Sequence, residues 1–288
     1  WWDYGYLVQT GGGRATISDG GNSRGAINFY TSRYLLTTPN ETDALSFLKA
    51  NDADYVLFVS DDIGKYPAFS SIGADLDYDR FSWINSFTLD PKQTFETRNE
   101  TTYVYVGGTT LDEDLLYGGQ IYPRRQAGIG AFLLPISLTE NATSLSNVRR
   151  PSAILIYRGQ QVTIPLNCLS LMSQELNFGT DGLDACLAII PSFQGNAQSN
   201  IGAALYLSRR VKDSFFAQRY ILRKPSSYFE LVYDDSASYA PLSLYNGRLI
   251  GPLQIWKANI PAFIPDDPLL RNTTLPDPRL SLVSEEYS

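Results

Sequence analysis

The chain opens with Trp1-Trp2-Asp3-Tyr4-Gly5, and a second distinctive stretch follows at Asp62-Ile63-Gly64-Lys65-Tyr66-Pro67-Ala68-Phe69-Ser70-Ser71-Ile72. Indole rings bury a large apolar area and donate one N–H, whereas an ionised carboxylate only accepts hydrogen bonds. The first stretch is therefore compatible with a rigid aromatic wall and one acceptor, which suits a hydroxyl. It is equally compatible with two core tryptophans and an Asp3 that caps a helical turn.

The second stretch carries four residues at helical spacing, Asp62, Lys65, Phe69 and Ile72. Residues three and four apart share one helix face, so these side chains form a single stripe. A salt-bridged surface face is the simpler interpretation, but Phe69 and Ile72 are apolar and need cover. Proline is disfavoured inside a helix. Because of Pro67, we expect the helix to begin near Gly64, with Asp62 as a possible cap.

Together the two stretches resemble the signature of the catalytic subunit of oligosaccharyltransferase, the membrane enzyme of N-glycosylation, in its archaeal form, the AglB family. The similarity covers residues 1–72, and a weaker one lies at residues 209–233. In that family the first motif opens the globular C-terminal domain, and a D-x-x-K motif follows on a helix. The family usually has Met or Ile four residues after the Lys, where this chain has Phe69.

In the family the two motifs bind the Ser or Thr of an N-x-Ser/Thr acceptor, at the second position after the Asn. The resemblance implies that Trp1, Trp2 and Asp3 surround the hydroxyl, with Asp3 accepting its hydrogen bond. The acceptor-binding residues carried over in this way are Trp1, Trp2, Asp3, Tyr4, Gly5, Asp62, Lys65, Phe69 and Ile72.

The resemblance also gives roles to the helix that carries the second motif. Lys65 would hold the Asp3 carboxylate or the acceptor backbone, and Asp62 would orient Lys65. Phe69 or Ile72 would contact the threonine methyl group. One buried methyl contributes about 0.8 kcal/mol, enough to prefer Thr over Ser a few-fold.

Catalysis itself is expected outside these residues. In the family, the carboxylates that bind Mn or Mg and the loop glutamate that activates the acceptor lie in the membrane portion, upstream of Trp1. We therefore expect no catalytic residue, cofactor or metal site in this fragment, and a cell-membrane enzyme whose globular domain lies on the extracellular face. The implied partners are an acceptor polypeptide with an N-x-Ser/Thr sequon and a dolichol-phosphate-type lipid-linked oligosaccharide.

Composition agrees with an ordinary globular protein and excludes several function classes. The 288 residues are 43% hydrophobic and 18% charged, which is typical of a folded domain. A net charge of −7 argues against nucleic-acid binding, which needs excess Lys and Arg. The chain has no histidine, so Ser-His-Asp catalysis and imidazole metal sites are absent. No apolar run approaches the roughly 20 residues of a membrane helix.

Two cysteines, Cys168 and Cys186, are compatible with a disulfide or with two buried thiols. A bridge would stabilise the fold by about 3 kcal/mol in the chain-entropy model. Four N-x-Thr sequons favour an oxidising exterior and predict glycosylation of the chain itself. Their asparagines are Asn40, Asn99, Asn141 and Asn272.

The pattern along the chain predicts a mixture of helices and strands, with a β-rich stretch from about residue 100 to 200. We expect helices at residues 23–36 and 208–222, and a helix whose start is a capping box of Thr38, Pro39 and Glu41. A buried strand is expected at residues 54–59 and further strands at 101–106, 228–233 and 253–256, and a hairpin pairs residues 153–157 with 161–165.

These patterns predict an α+β fold with a mixed helical central core that carries both motifs. The core takes residues 1–100, a β-rich insertion takes 101–200, and 201–262 return to the core as a helix and a C-terminal β segment. The Pro- and Asp-rich residues 263–288 form a tail.

Two other functions compete with the glycosylation hypothesis. A noncatalytic secreted carbohydrate-binding or surface-layer module would suit the sequons and the many aromatic residues, and would place Trp1 and Trp2 on an open shelf away from Lys65. A glycoside hydrolase needs two carboxyl groups facing each other in a cleft, and no such pair is distinguished by the sequence.

Overall fold

The computed structural model describes residues 1–21, 26–137, 148–171, 174–195 and 197–271. The chain divides into two compact units. The first contains residues 1–83, 213–240 and 251–288, and the second contains residues 84–212 and 241–250. Helices and a large sheet are both present, which confirms the α+β class. In the described part of the chain, no helix has the length and apolar character needed to cross a membrane.

The first unit combines helices with a small antiparallel sheet. Its helices are α1 (Gly5–Gly12), α2 (Ile27–Tyr30), α3 (Glu41–Ala50) and α4 (Asp61–Ile72), with 3-10 turns at Trp2–Tyr4 and Pro268–Arg271 and π-helical turns at Thr31–Leu36 and Ala217–Ile221. Its sheet has the strand order β1 (Tyr55–Phe58), β16 (Gln254–Ala258), β13 (Phe229–Asp234).

Aromatic rings form the core beside α4. Phe216 lies 5.4 Å from Phe58, 5.8 Å from Phe69 and 5.6 Å from Tyr220, measured between ring centroids. All four of these side chains are at most 1% exposed. Aromatic pairs at these separations add stabilisation beyond the area that they bury. The cluster therefore holds α4 by its Phe69 face.

The expected start of α4 near Gly64 is wrong. The helix begins at Asp61 and runs through Pro67 to Ile72. The Asp62 carboxylate accepts a hydrogen bond from the backbone N–H of Val59 at 3.2 Å, which fixes the first turn before Gly64. Pro67 donates no backbone hydrogen bond, but the buried rings on both sides of it, Tyr66 and Phe69, compensate by packing.

The predicted capping box of α3 is also wrong, although its apolar face is buried as expected. Asn40 occupies the cap position, and the Thr38 hydroxyl donates to Asp43 at 2.9 Å. The Glu41 carboxylate instead accepts hydrogen bonds from Arg219 at 2.7 Å and Ser226 at 2.9 Å. An unpaired buried guanidinium costs more free energy than an uncapped helix end. The Glu41 carboxylate therefore pairs with Arg219 and does not cap α3.

The second unit is built on one large sheet and a separate hairpin. Its strands in chain order are β2 (Asn85–Leu89), β3 (Phe95–Glu96), β4 (Glu100–Thr110), β5 (Leu115–Tyr117), β6 (Gln120–Tyr122), β7 (Gly128–Ser137), β8 (Ser152–Tyr157), β9 (Gln160–Leu171), β10 (Gln174–Asn177), β11 (Leu183–Gln194), β12 (Ala197–Ser208), β14 (Ser243–Tyr245) and β15 (Arg248–Ile250). The short helix α5 (Arg209–Lys212) follows β12.

The large sheet closes on itself. Its strand order is β10-β9-β8-β7-β4-β2-β12-β11-β14-β15, and a further parallel pairing joins β9 to β11. Cys168 and Cys186 lie directly opposite each other in that pairing and form a disulfide. The bridge therefore lies at the strand pair that closes the sheet.

The predicted hairpin of residues 153–157 and 161–165 is confirmed as β8 and β9. Its turn residues Arg158 and Gly159 have φ angles of 50° and 75°. Positive φ at both positions matches the right-handed twist of the strands that they join.

The predicted helix at residues 208–222 is replaced by shorter elements. Strand β12 continues to Ser208, because residues 203–208 pair with β11 and are buried in the sheet. Helix α5 then ends at Lys212, and helical structure returns only at Ala217–Ile221. Burial between strands has overridden the local helical pattern.

Two of the four sequons fall in the described residues. Asn40 and Asn99 are exposed, so both are accessible to modification. Asn141 and Asn272 lie outside the described residues. Glycosylation of these asparagines stays a prediction.

Loss of the disulfide should weaken the fold. The double substitution Cys168→Ser, Cys186→Ser should lower the free energy of unfolding by about 3 kcal/mol, because the unfolded chain regains the entropy of an open loop. Urea unfolding, followed by circular dichroism, measures the change. Adding a reductant should destabilise the parent protein by a similar amount and leave the double variant unaffected, and an equal effect on both proteins would contradict the prediction.

Candidate functional site

The first motif divides its two tryptophans between the core and the surface. Residues Trp2–Tyr4 form a 3-10 turn that leads directly into α1. The Trp1 side chain is 3% exposed and its ring lies 5.8 Å from that of Phe69, whereas Trp2 is 37% exposed. A helical turn points neighbouring side chains in different directions. Core packing, one of the two interpretations of the motif, therefore holds for Trp1 but not for Trp2.

An ion pair joins the two motifs. The Lys65 ammonium binds the Asp3 carboxylate, and the two side chains are 31% and 27% exposed. The ammonium also lies 4.6 Å from the centre of the Tyr4 ring, within the range of a cation–π interaction. Asp3, Tyr4 and Lys65 thus form one polar cluster at the start of α1.

Tyr4 ties the same cluster to the beginning of α4. Its phenol donates a hydrogen bond to the Asp61 carboxylate at 2.5 Å. Burial, this hydrogen bond and the nearby negative charges raise the pKa of Tyr4 well above its usual value. The phenol therefore remains a neutral hydrogen-bond donor at physiological pH. Sequence reasoning missed Asp61. It lies four residues before Lys65 and Asp62 lies three residues before it, and both spacings are typical of one helix face, so the sequence did not distinguish the two carboxylates.

Asp62 contacts backbone rather than Lys65. Its carboxylate is buried, accepts the Val59 N–H, and lies 3.5 Å from the backbone nitrogen of Trp1. Burial raises the pKa of Asp62, while the Val59 N–H and the Lys65 charge act in the opposite direction. The contacts of Asp62 fix the approach of Trp1 to α4. A role in orienting Lys65 would be electrostatic, without a direct hydrogen bond.

The two candidates for the methyl contact have very different exposure. Phe69 is 0% exposed and its ring contacts Trp1, Tyr66 and Phe216. Ile72, one turn further along α4, is half-buried. A ligand could therefore reach Ile72 without rearrangement, whereas Phe69 is fully used by the core.

Gly5 is required by a close backbone approach. A Cβ at this position would lie 2.4 Å from the Ser18 carbonyl oxygen and 2.5 Å from the Asp19 Cβ. Asp19 is held there because its carboxylate accepts hydrogen bonds from Gln9 at 2.8 Å and from the Gly21 N–H at 2.8 Å. Gly5, the last residue of the first motif, thus leaves room for Ser18 and Asp19 to pass close to the first turn of α1.

The acidic side chains of the site already interact with other groups of the protein. Among the described residues, no three side chains of the Cys, Asp or Glu type lie together in a way that could hold a metal ion. The carboxylates of the site already have partners: Asp3 binds Lys65, Asp61 binds Tyr4, and Asp62 binds backbone.

Comparisons with known proteins give one sequence match and several structural ones. Residues 1–106 match the model of the STT3/PglB/AglB core domain. The structure resembles that of the PglB C-terminal domain of C. jejuni, with 13% identity and a TM-score of 0.42 over 90% of this chain and 92% of that one. It also resembles the C-terminal globular domain of an oligosaccharyltransferase from Pyrococcus abyssi, with 13% identity and a TM-score of 0.41 over 90% of this chain and 45% of that one. None of the curated proteins matches the chain.

Two helical glycines should respond oppositely to the same substitution. Gly5→Ala should lower the free energy of unfolding by about 1–3 kcal/mol, because the new methyl group collides with backbone atoms. Gly64→Ala should raise it by up to about 1 kcal/mol, since nothing lies within 4 Å and alanine favours the helix. Thermal and urea unfolding of both variants measure the difference. Equal effects would contradict the close approach at Gly5.

Proposed function

We propose that this chain, whose residues 1–106 belong to the STT3/PglB/AglB core-domain family, is the globular part of an oligosaccharyltransferase that recognises the Ser or Thr of N-x-Ser/Thr acceptors. The observation that supports this most directly is the ion pair between Asp3 and Lys65. It joins the two motifs, and Trp2, the neighbour of Asp3 in the chain, is partly exposed.

Asp3 has the capacity to accept a hydroxyl while it remains paired. An ionised carboxylate offers about four lone-pair positions on two oxygens, and Lys65 binds Oδ2. The acceptor hydroxyl would donate to a remaining position, and Trp2 would cover one side of it. A hydrogen bond to a charged group contributes about 1.5–3 kcal/mol, so its loss would discriminate against acceptors that lack the hydroxyl.

Tyr4 and Asp61 act as positioning residues in this proposal. The Tyr4 ring lies under the Lys65 ammonium, and its phenol is anchored on Asp61. Both contacts restrict the long Lys65 side chain, whose free rotamers would otherwise cost entropy on binding. The ammonium is therefore placed before the acceptor arrives.

The methyl group of an acceptor threonine would contact Ile72 rather than Phe69. Phe69 has no exposed surface, and Ile72 is the half-buried apolar residue on the same stripe of α4. The contact would favour Thr over Ser a few-fold, since one buried methyl contributes about 0.8 kcal/mol.

In the complete enzyme, the glycan would pass from a dolichol-phosphate-type lipid carrier to the amide nitrogen of the acceptor Asn, and the carrier would be released. The Mn or Mg ion and the lipid-linked oligosaccharide would be bound by a membrane portion outside these 288 residues. The enzyme would lie in the cell membrane with this domain on the extracellular face. The chain by itself would bind acceptors without transferring the glycan.

The competing module hypothesis finds less support in the geometry. It requires Trp1 and Trp2 on an open aromatic shelf away from Lys65. The Trp1 side chain is buried, and Asp3, which follows Trp2, binds Lys65. One exposed indole remains, which is a small platform for a sugar ring.

Removal of either charge should impair transfer but not folding. In the complete membrane enzyme, Asp3→Ala and Lys65→Ala should each reduce the rate of glycan transfer to a Thr sequon peptide by about tenfold to 100-fold, the value of one charged hydrogen bond. Both side chains are partly exposed, so the unfolding temperature of this domain should change little.

The exposed Lys92 provides a matched control, since Lys92→Ala removes the same charge from the second unit. It should leave transfer unchanged. Normal transfer by both Asp3→Ala and Lys65→Ala would overturn the proposed pocket.

Ile72 should determine the preference between Thr and Ser. Ile72→Ala should reduce the ratio of transfer rates for Thr and Ser peptides towards one, because the methyl group loses its contact. Phe69→Leu should instead lower the stability of the domain and leave the ratio intact. The two rates, measured on paired peptides that differ only in that residue, provide the test. An unchanged ratio in Ile72→Ala would assign the contact elsewhere.

A further inference from the structure

The hairpin of β5 and β6 in the second unit has an unusual outer face. Leu116 and Ile121 are directly opposite each other across the two strands and are 69% and 61% exposed. The neighbouring pair, Leu115 and Tyr122, packs on the core of the unit. Alternation along a strand normally leaves polar residues outside when the other face is buried. Here both outward positions carry large apolar side chains.

The tip of this hairpin is short and conformationally defined. Gly118 and Gly119 form the two-residue turn, with φ angles of 59° and 80°. Such turns hold the two strands in fixed register. The Leu116–Ile121 pair is therefore presented as one small, rigid apolar surface.

An arginine-lined cleft lies at the base of the same hairpin. Its volume is about 340 Å³, and it is lined by Glu113, Asp114, Arg124, Arg209 and Arg210. Asp114 and Arg124 lie at the two ends of the hairpin, and α5 contributes the other two arginines. The cleft thus adjoins the base of the hairpin that carries the apolar pair.

Positive charge remains in this cleft after its internal pairs are counted. Arg210 binds Glu113 at 3.2 Å, and the Asp114 carboxylate accepts the backbone N–H of Arg124 at 2.7 Å. Arg209 is 64% exposed and lies 3.8 Å from Asp184, at the outer limit of an ion pair. The Arg124 guanidinium makes no ion pair with any residue in the part of the chain that the structure describes. The five lining side chains carry three positive and two negative charges, so one positive charge is in excess and attracts an anion to the cleft.

We propose that the β5–β6 hairpin docks on the surface of an anionic lipid membrane. Leu116 and Ile121 enter the boundary between headgroups and acyl chains, while Arg124 and Arg209 bind lipid phosphates. Arginine matches the geometry of phosphate oxygens with paired donors. The chemistry of both parts, the apolar outer face and the cationic base, is that of an interfacial membrane contact.

The spacing along the hairpin agrees with this docking mode. Ile121 precedes Arg124 by three residues and Leu116 follows Asp114 by two. A strand rises about 3.3 Å per residue, so the apolar pair lies about 7–10 Å along the hairpin from Asp114 and Arg124. Interfacial segments bury their apolar face about 5–10 Å into the headgroup and acyl boundary. Arg124 would then remain at the level of the phosphates.

Binding of the 288-residue chain to vesicles tests the proposal without any glycan transfer. The chain should float with vesicles of phosphatidylcholine and phosphatidylglycerol and bind at least tenfold more weakly to phosphatidylcholine alone, because anionic lipid attracts the arginines. Leu116→Ser with Ile121→Ser, and separately Arg124→Glu with Arg209→Glu, should each weaken binding about tenfold or more. All four positions are exposed, so folding, checked by circular dichroism, should persist.

The β14–β15 hairpin supplies a matched control. It has the same kind of two-residue turn, at Asn246 and Gly247, and carries the exposed Tyr245 and Arg248. Tyr245→Ser with Arg248→Glu should leave vesicle binding unchanged. A tryptophan placed by Leu116→Trp should shift its emission to the blue on adding anionic vesicles, whereas one placed by Tyr245→Trp should not.

Three outcomes would overturn the proposal. The first is equal vesicle binding by the parent and the Leu116→Ser, Ile121→Ser variant. The second is binding of inorganic phosphate in the cleft without any vesicle binding. The third is a dimer of the chain in solution that dissociates when Leu116 and Ile121 are replaced by serine. None of these results depends on Asp3 or Lys65. Failure of this proposal therefore leaves the acceptor-binding proposal to be judged by its own experiment.

Discussion

Burial of Phe69 is the constraint on which the geometry of the first unit depends. Its ring contacts Trp1 on one side and Phe216 on the other, so it connects the first motif to the segment that begins at residue 213. A fully buried aromatic side chain contributes several kilocalories per mole to a core. By comparison, the partly exposed ion pair of Asp3 and Lys65 contributes at most about 1 kcal/mol. The packing holds the charges in place, and not the reverse.

Because the packing carries the folding energy, a weak ion pair can still form the centre of the proposed binding site. The aromatic contacts of Trp1 fix where the chain enters the 3-10 turn, and the turn then determines where Trp2, Asp3 and Tyr4 point. Asp62 adds a buried carboxylate, one oxygen of which accepts the Val59 N–H just before α4. The side chains left at the surface are therefore free to interact with a ligand, because they carry little of the folding energy.

The sequence predicted the local elements better than their long-range partners. The apolar face of α3, strand β1 and the β8–β9 hairpin all follow from periodicity and turn residues, which act over a few positions. The pairing of Glu41 with Arg219 spans most of the chain, and no local pattern indicates it. The helix expected at residues 208–222 failed for a related reason, since pairing with β11 decides the conformation of β12. At the site, the periodicity placed Lys65 and Phe69 on α4 but gave no sign that Phe69 would be enclosed while Ile72 stayed accessible.

The bridge between Cys168 and Cys186 determines how the second unit responds to a cut in its backbone. The two strands that it joins are also the strands that meet where the sheet closes. A protease that cuts the backbone anywhere between these two cysteines leaves both pieces covalently attached, each still paired with its neighbour. The closed sheet can therefore stay assembled after the backbone between the two cysteines has been cut.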